Sequence, residues 1–388
     1  MSWNYVRLGD VCSKIGSGAT PKGGATVYID SGISLIRSQN VYNLEFSYDG
    51  LAHITEDAAE KLNGVTVLKN DVLLNITGDS VARTCIVPDS VLPARVNQHV
   101  AIVRPNQKEV NPLFLNYYLA SPYMQSFMLG LAVGKGASRN AMTKDMIANF
   151  EVPCPPIDIQ ESIVSILSAY DNLIENNQKQ IKLLEETARR LYKEWFVNFR
   201  FPGYEDTPIV DDVPEGWEDG TLGDIAVFKR GKTITKAQVS DGNIPVVAGG
   251  LEPAYYHNKA NTTAPLITVS ASGANAGFTR LYNIDVFASD CSYIDRNSTP
   301  FLLFVYCFLK TNAMKLNSLQ KGSAQPHVYA KDLNALVLSV PSEGVLTAFC
   351  GIVSPYFERI RLLQRENEIA AEARDRLLPK LMSGEIEV

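Results

Sequence analysis

Histidine is scarce in this chain of 388 residues, with four in all, and no two stand at a spacing that would bring them to one metal ion. A metal site is therefore not expected. Six cysteines, Cys12, Cys85, Cys154, Cys291, Cys307 and Cys350, are scattered and include no C-x-x-C pair. That excludes zinc-knuckle and dithiol-redox chemistry and points to a reduced, cytoplasmic protein with mostly buried thiols. No apolar run reaches the ~20 residues that span a bilayer. The opening MSWNYVRLGD lacks the basic, apolar and small-residue layout of a signal segment, so no membrane partner is expected. Excess positive charge is missing too, the net charge being −6. The acid is unevenly placed, however: residues 1–150 and 215–340 each sum to +1, and the deficit falls on 151–214 and 341–388. Two near-neutral bodies can each carry a basic face, so charge permits nucleic-acid binding without arguing for it.

What is present is a long helical seam. Ile163, Leu167, Tyr170, Ile174, Asn177, Ile181, Leu184, Ala188, Leu191 and Trp195 follow one another at alternating steps of four and three. A repeat of 3.5 residues makes a helix seek a second helix along its length. At 1.5 Å per residue the seam is about 48 Å long, a spacer between two bodies.

The flanking regions resemble each other. Leu8-Gly9-Asp10 recurs as Leu222-Gly223-Asp224, shortly after Trp3 and Trp217 respectively. Lys144-Asp145 and a strand ending at Pro153 recur as Lys331-Asp332 and a strand ending at Pro341. A shift of 186 lays Ile163, Leu167, Tyr170, Ile174 and Leu191 on Phe349, Val353, Tyr356, Ile360 and Leu377, with eight identities in 33 positions. The chain is thus a duplicated unit, body–helix–linker–body–helix. The fold class expected is α+β, with two mixed α/β domains in pseudo-twofold arrangement, separated by two long helices forming an antiparallel coiled coil. The bodies span 1–156 and 220–341. The first helix covers 157–199, an acidic, proline-bearing and solvated linker 200–219, and the second helix with its tail 342–388. A helix over 112–130 should be split at Pro122.

Antiparallel pairing follows from the asparagines. A parallel match would set Asn177 and Asn367 against apolar side chains, at about 1–3 kcal/mol per unsatisfied group. Run antiparallel, facing pairs add to 544: Asn177 meets Asn367, Ile181 meets Leu363 and Ile163 meets Leu381. Asn177 and Asn367 then fix the register. Pro355 should kink the second helix or force it to restart.

Catalytic motifs are unsupported. The GKT at 231–233 has Ala226 where a phosphate loop needs glycine, and the GSG at 16–18 lacks the third glycine of a dinucleotide fingerprint. The CPP at 154–156 is followed by Ile157 and not by the aromatic residue of amino-group methyltransferases, and G-x-S-x-G is absent. Loops suited to DNA fare better, with glycine for close approach, hydroxyls and amides for hydrogen bonds, and isolated cations for phosphate or guanine. The first body offers Ser17, Thr20, Lys22, Arg37, Gln39, Asn40, Arg83, Lys135, Ser138, Arg139 and Asn140. The second offers Arg230, Lys232, Lys236, Ser270, Ser272, Asn275, Lys321, Ser323, Gln325 and His327. Any one of these is more often an ordinary solvated loop residue; their recurrence in both bodies raises the set.

Over essentially its full length the sequence resembles a specificity subunit of type I restriction-modification systems. The resemblance rests on the duplicated layout and on the phrases LYKEWFVNFRFPGYE, VPEGW, GSAQPHVYAKDL, PCPPIDIQESI and LLPKLMSGEI. It implies two target recognition domains, each reading one half of a split, asymmetric site in double-stranded DNA. It further implies helices that separate those domains and dock two modification (methyltransferase) subunits, with restriction (motor and nuclease) subunits joining. The chain itself would be non-catalytic and hold no cofactor; S-adenosylmethionine, ATP and Mg2+ would belong to the partner subunits. Half-sites on such a spacer would lie about 13–15 base pairs apart. The second helix lead-in, VPSEGVLTAF, departs from the first in lacking the double proline and glutamine. Competing readings are a coiled-coil scaffold whose bodies bind proteins, and a freestanding DNA methyltransferase.

Overall fold

Alternation along two strands sets the layers of the first body. In Val72–Asn75, Val72 and Leu74 enter one apolar cluster and Leu73 another. In Val100–Pro105, Ala101 and Val103 share the first cluster, while Val100 and Ile102 share the second. Successive side chains of a strand face opposite ways, so a strand covered on both faces must be apolar throughout. These two strands are the centre of an antiparallel sheet ordered Thr84–Ile86, Val72–Asn75, Val100–Pro105, Cys12–Ser17. A second sheet, Tyr28–Ile29, Ala52–Ile54, Ile33–Ile36, Ala94–Val96, Thr66–Val67, contains one parallel pair, Ile33–Ile36 with Ala94–Val96. The helices Pro112–Ala120 and Pro122–Ala132 fill the first cluster. They part at Ser121, which ends one helix in an extended conformation and caps the next through Oγ. Pro122 therefore splits the helix, as expected.

The computed structural model describes residues 3–133, 141–320 and 326–388. The chain divides into two compact units, Met1–Ile174 with Asn367–Val388, and Glu175–Glu366. The second unit repeats the antiparallel sheet of the first strand for strand and keeps three of the five strands of the other sheet. Its antiparallel sheet runs Lys229–Arg230, Cys291–Asp295, Leu266–Ser270, Thr279–Tyr282. Its other sheet runs Tyr255–His257, Ile244–Val247, Phe287–Ala288, with the last two parallel. The recurring Leu-Gly-Asp has a local cause in both. Leu8 and Leu222 are fully buried and donate their N–H to Phe150 O and Leu336 O, each at 2.8 Å. A Cβ at Gly9 or Gly223 would stand 3.1 Å from Ala148 O or Asn334 O, so both glycines allow the chain to lie against a carbonyl. These contacts match at a shift of 186, which pairs Ala141 with His327. The Lys144-Asp145 and Lys331-Asp332 equivalence read from the sequence is therefore one residue out of step.

The long helices are Ile157–Phe196 and Glu343–Met382, 40 residues each. Each unit takes in part of both. In the second unit, Trp195 lies against Phe349 with ring centroids 5.8 Å apart, the partner that the antiparallel register assigns to it. Farther along, the Asn177 amide donates to Glu366 Oε2 at 2.9 Å. Positions rise on one helix as they fall on the other, so the pairing is antiparallel. In the first unit Ile163, Val164 and Leu167 share a core with Leu378, Leu381 and Met382, and Arg374 Nη1 meets Asp171 Oδ1 at 2.6 Å.

Three expectations need correction. The Asn177 amide nitrogen engages the carboxylate of Glu366, a charged and stronger acceptor than the amide of Asn367. The Asn367 Oδ1 atom is buried without a hydrogen-bond partner. Of the kink or restart expected at Pro355, the restart does not occur, since the helix runs unbroken through it. Pro355 and Gly351 lie on the exposed face, where water can satisfy the carbonyl that the ring leaves unpaired. Residues 200–219 are folded, with a 3-10 turn at Tyr204–Asp206 and a hairpin of Ile209–Val210 with Val213–Pro214. Trp217 packs on Phe201, Phe199 and Phe196 at centroid distances of 5.2, 5.5 and 5.9 Å. Aromatic burial closes the segment over the helix end while all seven acidic side chains stay exposed. No helix among the described residues is long and apolar enough to cross a membrane.

Candidate nucleic-acid interface

Four segments converge at the same end of the antiparallel sheet in the first unit: the loop after Cys12–Ser17, the turn at 77–80, the turn at 97–99, and the segment returning at Ala141. Gly18 makes the convergence possible. Its N–H donates to Val100 O at 2.9 Å, and a Cβ there would fall 2.0 Å from Val96 O. The turn at 77–80 is closed by Gly78, whose φ of 73° suits glycine, and Thr77 forms a β-bridge with Ala141. Side chains then join the segments. Thr20 Oγ1 meets Gln98 Oε1, Gln98 Nε2 lies 3.1 Å from His99 Nε2, and His99 Nδ1 lies 2.6 Å from Thr77 Oγ1. A neutral ring with its proton on Nδ1 satisfies both contacts of His99.

Beside this chain opens a cleft of about 510 Å³, lined by Ser38, Gln39, Tyr42, Thr77, Gly78, Asp79, Ser80, Arg83, His99 and Ala141. Its wall at 38–40 is pinned from below by buried Asn75, whose Nδ2 donates to Ser38 O at 2.8 Å. The Arg83 guanidinium sits 4.7 Å over the Tyr42 ring, a cation–π contact that holds the charge in place at the rim.

The second unit builds the same junction. Gly231 donates to Cys291 O at 2.8 Å, and a Cβ there would meet Ser289 O at 2.2 Å. Lys232 N donates to Ala288 O at 3.0 Å, as Ala19 N does to Val96 O. Gly273, with φ 79°, closes the turn at 272–275, and Ser272 bridges His327. Ser272 Oγ donates to Asp290 Oδ2, in the place of the Thr77–His99 contact. The backbone frame is shared and the side chains on it differ.

The sequence candidates fall into groups on this frame. Gln39 and Arg83 line the first cleft, and Thr20 joins it through Gln98; Ser17 and Lys22 flank the glycine loop and are exposed. Arg37 is held to Gly50 O at 2.6 Å by its Nη2. In the second unit Ser272 and His327 meet at the junction, beside the backbone of Lys232. Asn275 lines a separate cavity of about 480 Å³ with Lys310 and Gln320, while Arg230 and Lys236 present exposed side chains. Asn40 and Ser270 must leave the list of surface contacts. Asn40 is fully buried, accepting from Arg37 N at 3.0 Å and donating to Ser47 O at 2.9 Å. Ser270 is buried and donates to Gly249 O at 3.1 Å. Both hold turns in place. Lys135, Ser138, Arg139, Asn140, Lys321, Ser323 and Gln325 lie outside the described residues.

Sequence reading missed Tyr42, Thr77, Asp79, Ser80, Gln98, His99 and Asp290. The internal repeat held a signal for two of them. Aligning NITGDS with SASGAN would have carried Ser272 and Asn275 onto Thr77 and Ser80.

Burial pushes the Cys12 thiol up to about 12 and raises Cys85, Cys154, Cys291, Cys307 and Cys350 as well, so no cysteine is held as a thiolate at neutral pH. Among the described residues, no three His, Cys, Asp or Glu side chains gather as metal ligands.

Comparison with known proteins agrees with this geometry. The family model described as the type I restriction modification DNA specificity domain matches residues 1–186 and 214–369, once on each half. The chain belongs to the type I restriction-modification specificity family. DNA recognition and assembly with other subunits are general to that family, and its specificity subunits are in general not catalytic. The chain is 25% identical to the type I restriction enzyme MjaIX specificity subunit of Methanocaldococcus jannaschii, covering 100% of this chain and 94% of that one. It is 21% identical to the HindI specificity subunit of Haemophilus influenzae, covering 99% of each. The crystal structure of a type I restriction-modification S subunit from M. genitalium superposes with a TM-score of 0.58 at 17% identity, covering 98% of this chain and 96% of that one. That likeness is one of fold.

Proposed function

We propose that this chain is the DNA-reading subunit of a type I restriction-modification complex, each unit recognising one half of a bipartite, asymmetric site. The observation that carries the reading is the junction built twice on one backbone frame with different side chains. Two half-sites of different sequence call for that arrangement, because phosphate and shape contacts can be common while base contacts must differ. Docking of two modification subunits, with restriction subunits joining them, is assigned to the outer faces of the long helices. Ile166, Leu173 and Leu183 on one helix and Ile352, Leu362 and Ile369 on the other are exposed apolar side chains that suit such a role. S-adenosylmethionine, ATP and Mg2+ are assigned to those partners, and the assembly to the cytoplasm.

Sequencing DNA methylation in the source organism with and without this gene tests the reading. The expected result is loss of one bipartite adenine-methylation motif. An unchanged methylome refutes it, and a scaffold that binds only proteins would give that result.

A further inference from the structure

We propose that the junction is the base-reading position of each unit, with the first unit reading a guanine there through Arg83 and the second an exocyclic amino group through Asp290. The inference rests on the DNA-reading function proposed above and names the side chains that would set its specificity.

A carboxylate at a DNA-binding surface is repelled by phosphates, so it is useful there only as an acceptor for an amino group on a base edge. Asp290 occupies such a place. It stands on the turn that meets the Gly231 loop, and its Oδ2 accepts from Ser272 Oγ. One carboxylate oxygen is thereby oriented by the protein, and the group retains further acceptor capacity for cytosine N4 or adenine N6. Gly249 adjoins the pair: a Cβ there would clash with Ser272 O at 2.9 Å and touch Asp290 Oδ2 at 3.6 Å, so the glycine lets this loop lie against the serine and its carboxylate partner.

At the equivalent turn the first unit has His99, and the strongest donor beside it is Arg83. Stacking on Tyr42 presents the planar guanidinium at the cleft rim with little freedom left to lose on binding. A fork of donors matches guanine O6 and N7. Asp79, exposed on the same turn and lining the same cleft, supplies an acceptor for the neighbouring base pair.

The test is methylation by the assembled complex on duplexes with randomised half-sites, using wild type, Arg83→Gln and Asp290→Asn. Each variant should lower discrimination at one position of one half-site by about 5- to 150-fold, and the two should act on opposite halves. Equal weakening at all sequences, or unchanged discrimination at every position in both variants, overturns the inference while leaving the bipartite reading standing. A wild-type complex that selects no bipartite sequence overturns that reading and this inference together. Asp79→Asn, at an exposed position, guards against misfolding of the other variants: it should alter the same half-site as Arg83→Gln, and an effect on the other half counts against the proposal.

Discussion

Gln160 explains one phrase of the sequence at the level of single atoms. It is fully buried, accepts from Asn111 N at 2.8 Å, and donates to Glu109 O and Pro155 O at 2.9 and 2.8 Å. The glutamine of PCPPIDIQESI thus clamps the start of the first long helix to the loop before Pro112. The second helix has Leu346 at the matching position, buried in an apolar core, which is why its lead-in does not need the glutamine. Gln160→Ala strands one N–H and two carbonyls away from water and is expected to cost about 2–3 kcal/mol. Urea denaturation measures it, and a change below about 0.5 kcal/mol would show that water replaces the clamp. Residue identity alone did not reveal this role, because a glutamine on a helix is ordinarily solvated. Only the position of the 109–111 loop makes it a core residue.

At the scale of elements, the helix pairing was legible because a seam of 3.5-residue period admits few solutions. Trp195 against Phe349 follows from that pattern. The asparagine pair did not, because the spacing of Cα positions does not say which of several nearby acceptors a side chain will choose. Asn367 Oδ1 is left buried and unpaired, so Asn367→Leu should raise stability by about 1 kcal/mol, visible as a higher Tm. A lower Tm would mean that Asn367 serves an interaction in solution worth more than the apolar contact. The segment 200–219 was misread for a related reason. Its seven acidic residues and three prolines describe its surface, while its fold is decided by Trp217, Phe199 and Phe201 meeting the aromatic end of the helix.

At the scale of the whole molecule, alkaline stability reports on the buried tyrosines. Burial raises the pKa of Tyr117, which also faces Asp171, and burial likewise raises Tyr118, Tyr192 and Tyr306. A group whose folded pKa lies above its unfolded value contributes fully below the unfolded value and loses that contribution as pH rises. Their stabilisation should therefore be intact below about pH 10 and decline above it. Thermal melts between about pH 8 and about pH 12 would show a falling Tm on the alkaline side; a flat profile would contradict the burial. Under the proposed function the helices also set the distance between half-sites. One heptad inserted into each adds about 10.5 Å, or about three base pairs, to the preferred spacer, and an unchanged spacer would refute the ruler. The duplication, the two long helices and their antiparallel sense are properties of the sequence by itself, because periodicity and internal repetition are local patterns that survive without coordinates. The junction of the four segments was decided only by tertiary structure. Thr20, Thr77 and the adjacent Gln98 and His99 come from three stretches far apart along the chain and become neighbours because three strands of one sheet meet their loops at the same end. No spacing rule in the sequence encodes that meeting point, where His99 in one unit and Asp290 in the other take the same place.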